Sequence, residues 1–179
     1  MRALLTLAMT LALASCVSPT APPRPAPIPV PVPTYTPPPL RPTPTPVGPD
    51  WRDWSVTPGD WVYRQDGRGS IALFGERGTD AVVTLRCDRA ANTLYLSRAG
   101  LAVAAVPMTV RTSSVTRTLS SAPTGGTPPY LAVSLGPRDS LLDAMGFSRG
   151  KFVIEQPGYP TLVLPAWAEI ERVTEDCRR

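Results

Sequence analysis

Between residues 17 and 50 the chain carries 15 of its 24 prolines, and this density sets the first limit on what can fold. Each proline fixes φ and removes a backbone donor, so neither a helix interior nor a central strand can be built there. The apolar side chains of the tract are few and small, and its charge is confined to Arg24, Arg41 and Asp50, so it has nothing to collapse around. Polyproline II is the expected state, which makes residues 16–50 a semi-rigid stalk with a fully extended reach of about 100 Å. The runs Pro29-Val30-Pro31-Val32-Pro33 and Thr43-Pro44-Thr45-Pro46 also suit a proline-recognising partner or contact with the cell wall. Low-complexity composition favours the spacer.

Ahead of the stalk, Arg2 precedes an apolar run from Ala3 to Leu13, followed by Ala14, Ser15 and Cys16. A membrane-spanning helix needs about 20 apolar residues, and this run is too short and is interrupted by Thr6 and Thr10. It has the build of a secretory signal, with small residues at the cleavage point. The Leu13-Ala14-Ser15-Cys16 segment resembles the bacterial lipoprotein pattern. That resemblance implies removal of residues 1–15 and lipidation of Cys16. Val17 and Ser18, in place of an Asp after the cysteine, imply delivery to the outer membrane of a Gram-negative cell, with the domain facing the periplasm. Two or three acyl chains anchor stably where one binds only marginally.

Residues 51–179 have the length of one domain with its own core. The formal charge of the chain is +4, but from Asp50 onward 15 basic residues face 14 acidic ones, and they are scattered. Such a surface is no footprint for nucleic acid. With Cys16 assigned to lipid, Cys87 and Cys177 remain, in a compartment that permits disulfides. Their pairing is expected and would stabilise the fold by about 4.5 kcal/mol on a chain-entropy argument. A free thiol or half a metal site is the weaker reading, since no histidine exists and no third thiol lies near.

From Trp61 onward, short alternating runs are separated by turn signals, the pattern of antiparallel sheet. Strands are expected over 61–65, 70–74, 81–87, 93–97, 108–112, 130–135, 151–155 and 161–164. Asp66-Gly67-Arg68-Gly69, Glu76 to Thr79 and Asp88 to Asn92 supply the turns. Residues 120–129, rich in proline and glycine, read as a long loop. A short helix is expected after Asp139 or Ser140 as N-cap, burying Leu141, Leu142 and Met145 and stopping at Gly146. A second, with Pro165 in its first turn, should bury Trp167, Ile170, Val173 and Cys177 and display Glu169, Glu171, Arg172, Glu175 and Asp176. Placing Cys177 on the buried face agrees with a bond to a strand cysteine.

The order of a strand ending in Cys87, Met108-Thr109-Val110-Arg111-Thr112, Leu141-Leu142-Asp143, Phe147 to Glu155, Leu164 to Ile170, and Glu175-Asp176-Cys177-Arg178 carries a resemblance over residues 60–178. It resembles a set of Gram-negative envelope lipoproteins and, more distantly, the disulfide-bearing domains of the invasion-associated locus B type. The resemblance implies a mainly β, antiparallel β-sandwich-like domain with one short helix and a C-terminal helix tied back by a disulfide. It implies no activity.

The absence of histidine excludes Ser-His-Asp and Cys-His catalysis and imidazole-bound zinc. Ser148-Arg149-Gly150-Lys151 fits Ser-x-x-Lys in form, but Gly150 and the following Phe-Val-Ile read as a turn entering a strand, without the companion motifs. The carboxylates of the two helices could serve acid–base chemistry, yet capping at Asp139 and Glu169–Arg172 and Arg172–Asp176 pairs account for them. Trp51, Trp54, Trp61 and Tyr63 crowd the stalk junction and could contact a ligand or partner, although core packing is the commoner use of such rings. No catalytic residue, metal ligand or cofactor is expected.

The expectation that follows is a non-enzymatic, outer-membrane-anchored binding or structural module of the cell envelope, its partner an envelope protein or peptidoglycan. A periplasmic enzyme inhibitor and a carboxylate- or serine-dependent hydrolase are the alternatives. The near-neutral domain disfavours a lysozyme target.

Overall fold

The computed structural model describes residues 48–179; the signal sequence, Cys16 and nearly all of the proline tract lie outside the described residues. A 3₁₀ turn over Trp51–Asp53, capped by the Asp50 carboxylate on the Arg52 N–H, leads into the sheet. Nine strands follow: β1 (Asp60–Asp66), β2 (Gly69–Gly75), β3 (Val83–Asp88), β4 (Thr93–Ala99), β5 (Val106–Arg111), β6 (Thr116–Pro123), β7 (Tyr130–Leu135), β8 (Lys151–Glu155) and β9 (Leu162–Pro165). Helix α1 (Ser140–Gly146) joins β7 to β8, and α2 (Ala168–Arg178) ends the chain. The fold is mainly β, as the alternation predicts.

All pairings are antiparallel, in the order β1-β2-β3-β4-β7-β6-β5-β8-β9. The register puts Trp61, Phe74 and Val83 in one row, Tyr63, Ala72, Leu85, Leu96 and Val133 in the next, and Ser70, Cys87, Leu94 and Leu135 in a third. Period-two alternation turns these rows inward. Met108 and Val110 of β5, Phe152 and Ile154 of β8, and Leu162 and Leu164 of β9 enter the same core, together with Leu141, Leu142, Met145, Ile170 and Val173 from the helices. The two halves of the sheet thus share one interior. Strand β6 joins them, running beside β5 over Thr116–Ser121 and reaching β7 only through Ala122 and Pro123.

The strands at the two ends of the order also meet. Thr57, just before β1, donates its N–H to the Val163 carbonyl at 2.8 Å, and its hydroxyl accepts the Val163 N–H at 2.9 Å. Trp61 Nε1 donates to the Pro165 carbonyl at 2.9 Å. The edge of β9 is therefore occupied, which removes an open template for pairing with another chain.

Helix α1 starts at Asp139, whose carboxylate accepts the Leu141 N–H at 2.8 Å. Helix α2 buries Ile170, Val173 and Cys177, and the Cys87–Cys177 disulfide ties it to β3. Four expectations are corrected. Residues 120–123 belong to β6 rather than to a loop, because Thr116 to Ser121 alternate on a largely solvated strand whose apolar signal is weak. Pro165 closes β9 instead of opening α2. Trp167 is the N-cap position of α2 and is 45 % exposed, since its backbone is extended and its ring lies off the helical stripe. Asp176 is buried rather than displayed, because the Tyr63 hydroxyl reaches it from β1.

Candidate functional site

The four aromatic residues at the stalk junction separate into three environments. Trp61 is core: it is 5 % exposed and tilts against Phe74 with ring centroids 5.1 Å apart. Trp51 is also buried, but on the outer face of β8 and β9, where it covers Val153 and Val163. Trp54 packs against that small cluster; its indole N–H donates to the Gly48 carbonyl at 3.0 Å, and its own carbonyl accepts Lys151 Nζ at 2.6 Å. These contacts fasten the incoming chain to the domain and do not assemble the rings into one exposed face.

Tyr63 belongs to another group, beneath α2. Its hydroxyl donates to Asp176 at 2.5 Å, and the Arg172 guanidinium lies 3.9 Å from its ring centroid. Burial pushes the Asp176 carboxyl up, but the Tyr63 and Ser70 hydroxyls and the charges of Arg179 and Arg89 outweigh it and hold the group below the ordinary carboxylate range. Arg172 is thus engaged with an aromatic face instead of the expected i,i+3 and i,i+4 carboxylates.

The candidate catalytic groups are likewise committed. Ser148 is 5 % exposed; its hydroxyl donates to the Lys151 carbonyl at 2.5 Å and accepts the Ser113 N–H at 3.0 Å. It pins the α1–β8 turn to the β5–β6 turn, while the Lys151 ammonium points to Trp54. Asp139 accepts Arg117 at 2.8 Å, Asp143 accepts Arg178 at 2.7 Å, and Glu175 accepts Arg178 at 2.8 Å. Arg117 is the chief cause that holds Asp139 below its ordinary value, with burial opposing and the Leu141 N–H assisting. Glu171 differs: burial lifts its carboxyl, the Asp143 and Glu175 charges add to that, and Arg178 opposes them. Among the described residues no His, Cys, Asp or Glu cluster is placed to hold a metal.

A shallow, open depression of about 570 Å³ beside the disulfide is lined by Asn92, Gly136, Pro137, Arg138, Asp139 and Arg178. Exposed apolar side chains include Phe147, at 73 %, just after α1, and Trp167, just before α2. The Ala166 N–H, just before Trp167, donates to the Gly150 carbonyl at 3.1 Å.

Two groups escaped the sequence reading. Arg98 is 2 % exposed and Gln156 is 4 % exposed. Arg98 continues the inward phase of Leu94 and Leu96 along β4, and a charge in an apolar phase is the signal that could have found it.

These features define a disulfide-tied antiparallel β domain. Comparison of the chain with family models, with curated proteins and with solved structures finds no match.

Proposed function

We propose that the chain is a lipid-anchored protein of the Gram-negative outer membrane whose stalked β domain is a non-enzymatic binding or structural module of the periplasmic envelope. The kinship with Gram-negative envelope lipoproteins and, more distantly, with the disulfide-bearing domains of the invasion-associated locus B type belongs to the same proposal. The observation that carries it is Leu13-Ala14-Ser15-Cys16 followed by a proline spacer and then by a disulfide-tied domain. Supporting the non-enzymatic part, several of the groups that could have formed a nucleophile or an acid–base pair are engaged in structure: Ser148 by two backbone groups, Asp139, Asp143 and Glu175 by arginines. No described helix is long and apolar enough to cross a membrane, which leaves attachment to the cysteine in this reading.

Metabolic labelling with an alkyne fatty acid, followed by membrane fractionation, tests the anchor. Wild-type protein is expected to label and to sediment with outer membranes, and Cys16→Ala to do neither. Labelling or sedimentation that survives the substitution overturns the proposal. Capture from gently crosslinked envelopes, with Trp167→Ala as comparison, tests the binding role. Trp51→Ala is unsuited to that purpose, because Trp51 holds the β8–β9 face.

A further inference from the structure

At one end of the sheet Arg98 of β4, Ser121 of β6 and Gln156 after β8 are all buried. Arg98 pairs in register with Val83 and Leu131, both fully buried, so its side chain enters the core between apolar neighbours. Its Nη2 donates to the Pro160 carbonyl at 3.1 Å, and its guanidinium stacks at 4.9 Å from the Tyr159 ring centroid. Nε and Nη1 are buried with no hydrogen-bond partner among the described residues. The ion-paired arginines of the domain, Arg68, Arg86, Arg111, Arg117 and Arg178 among them, each have a carboxylate within 3 Å. Arg98 is buried more deeply than any of these and has a carbonyl and a ring instead.

A buried cation without an anion is a costly arrangement, and its usual resolution is a paired negative charge. Arginine cannot escape by losing its proton at physiological pH: burial pulls this guanidinium down only to about 10. A second orphan lies on the same turn. Gln156 Nε2 donates to Ser121 Oγ at 2.8 Å, and the Ser121 hydroxyl gives its proton to the Val106 carbonyl at 2.8 Å. The serine fixes the orientation of the amide and leaves Gln156 Oε1 as a buried acceptor with no donor among the described residues.

The turn that carries Gln156, Tyr159 and Pro160 closes over this end. Tyr159 N–H returns to the Gln156 carbonyl at 3.1 Å, with Gly158 in the left-handed region at φ +81°. The Tyr159 hydroxyl accepts the Leu101 N–H at 2.8 Å and donates to the Leu101 carbonyl at 2.6 Å. Gly100 permits that latch, since a Cβ there would lie 2.9 Å from the Tyr159 ring. Two hydrogen bonds therefore hold a cover over a cation that lacks its anion.

We propose that this end of the sheet binds a small oxyanion, seated on the free N–H groups of Arg98 under the Tyr159 turn, with Gln156 Oε1 accepting a hydrogen bond from a hydroxyl of the ligand. A hydroxyl-bearing oxyanion such as hydrogen phosphate offers acceptors suited to the arginine and a donor suited to the amide oxygen, whereas a plain carboxylate offers acceptors alone. The proposal does not depend on the lipid anchor or on an envelope partner.

The test uses the full lipidated chain in detergent, with inorganic phosphate and acetate as probes at matched ionic strength. Phosphate in the low millimolar range is expected to raise Tm saturably by several degrees and to broaden the ³¹P resonance, and acetate to act more weakly. Arg98→Met should remove both effects of phosphate. It should itself fold with a Tm in chloride equal to or above that of the wild type, because an apolar isostere relieves the unpaired charge. If the wild-type protein neither shifts in Tm nor broadens the ³¹P line, the site holds nothing but water and the proposal fails. Equal phosphate shifts in wild type and Arg98→Met also overturn it, and equal shifts from acetate and phosphate remove the role of Gln156. Should Arg98→Met not fold, the ³¹P line in wild type and Tyr159→Phe decides. Faster exchange is expected when the latch is cut, and identical exchange rates contradict the cover.

Discussion

Trp61 and Pro165 stand 104 residues apart and are joined by a 2.9 Å hydrogen bond from the indole to the carbonyl, which connects the first strand to the last. Because the ring is also core, Trp61→Phe removes apolar volume and orphans a buried carbonyl together. A loss of about 2–4 kcal/mol is expected. Urea unfolding should show a lower midpoint with an unchanged slope, and an unchanged midpoint would mean that the two ends of the sheet are not coupled through this bond.

The bond between Cys87 and Cys177 closes a sequence separation of 90 residues and holds the last turn of α2 on β3. Replacing both cysteines by alanine should destabilise the domain by about 2–5 kcal/mol. Amide exchange at Val173 to Arg178 should accelerate more than at β5 or β8. Uniform acceleration across the domain would show that the bond acts only on the unfolded chain.

Glu171 gives stability an acid-favoured contribution. Its folded-state pKa is raised by burial and by Asp143 and Glu175, so the folded protein holds this proton more tightly than the unfolded chain. The contribution is fully present below the unfolded value near 4.5 and is lost as pH rises through the folded one. Glu171→Gln, which mimics the protonated form, should therefore be more stable than wild type at pH 7 and equal to it near pH 4. A difference independent of pH would refute the assignment.

Asp66 and Asp139 act in the opposite sense. The Arg86 side chain is the main cause that holds Asp66 at about 2, and Arg117 is the main cause for Asp139. Depressed carboxyls stabilise above the unfolded value near 3.8 and lose that effect as pH falls through the folded one. Asp139→Ala should cost about 1–2 kcal/mol at pH 7 through the lost cap of α1, and less at pH 2. Chemical denaturation at both pH values measures this, and an equal cost at the two would point to packing.

Ser148→Ala should lower stability by about 1–2 kcal/mol, since it removes the shared partner of the half-buried Ser113 N–H and Lys151 carbonyl. In the reading proposed above, any envelope phenotype measured in cells should follow protein abundance alone. A phenotype lost at normal abundance would mean that the hydroxyl takes part in chemistry.

Legibility in the sequence followed the strength of local patterning. The stripe Ile170, Val173, Cys177 is a strong periodic signal, and with only two cysteines left after Cys16 it made the disulfide the expected pairing. Strand β6 was obscured because its inward positions, Arg117, Leu119 and Ser121, are mostly polar and its far end holds Pro123. Trp167 misled for a related reason: its spacing fits a helix that begins three residues earlier than α2 does. The grouping of Arg98 with Gln156 depends on how far the sheet folds over, a relation that no pattern within one strand encodes. Trp51 and Trp61 look alike in sequence, yet they lie on opposite faces of the sheet.

The way the chain enters the domain also has a mechanical meaning. Tension applied before Gly48 meets the Trp54 indole–carbonyl bond and the packing of Trp51 first, then the Lys151–Trp54 contact, and only afterwards the Thr57–Val163 pair and Trp61. These attachments are loaded one after another, so under the anchoring proposed above a pull on the chain is met at the periphery before it reaches the core. Resistance to such a pull is set by the rate at which the outermost contacts open, not by the equilibrium stability of the whole.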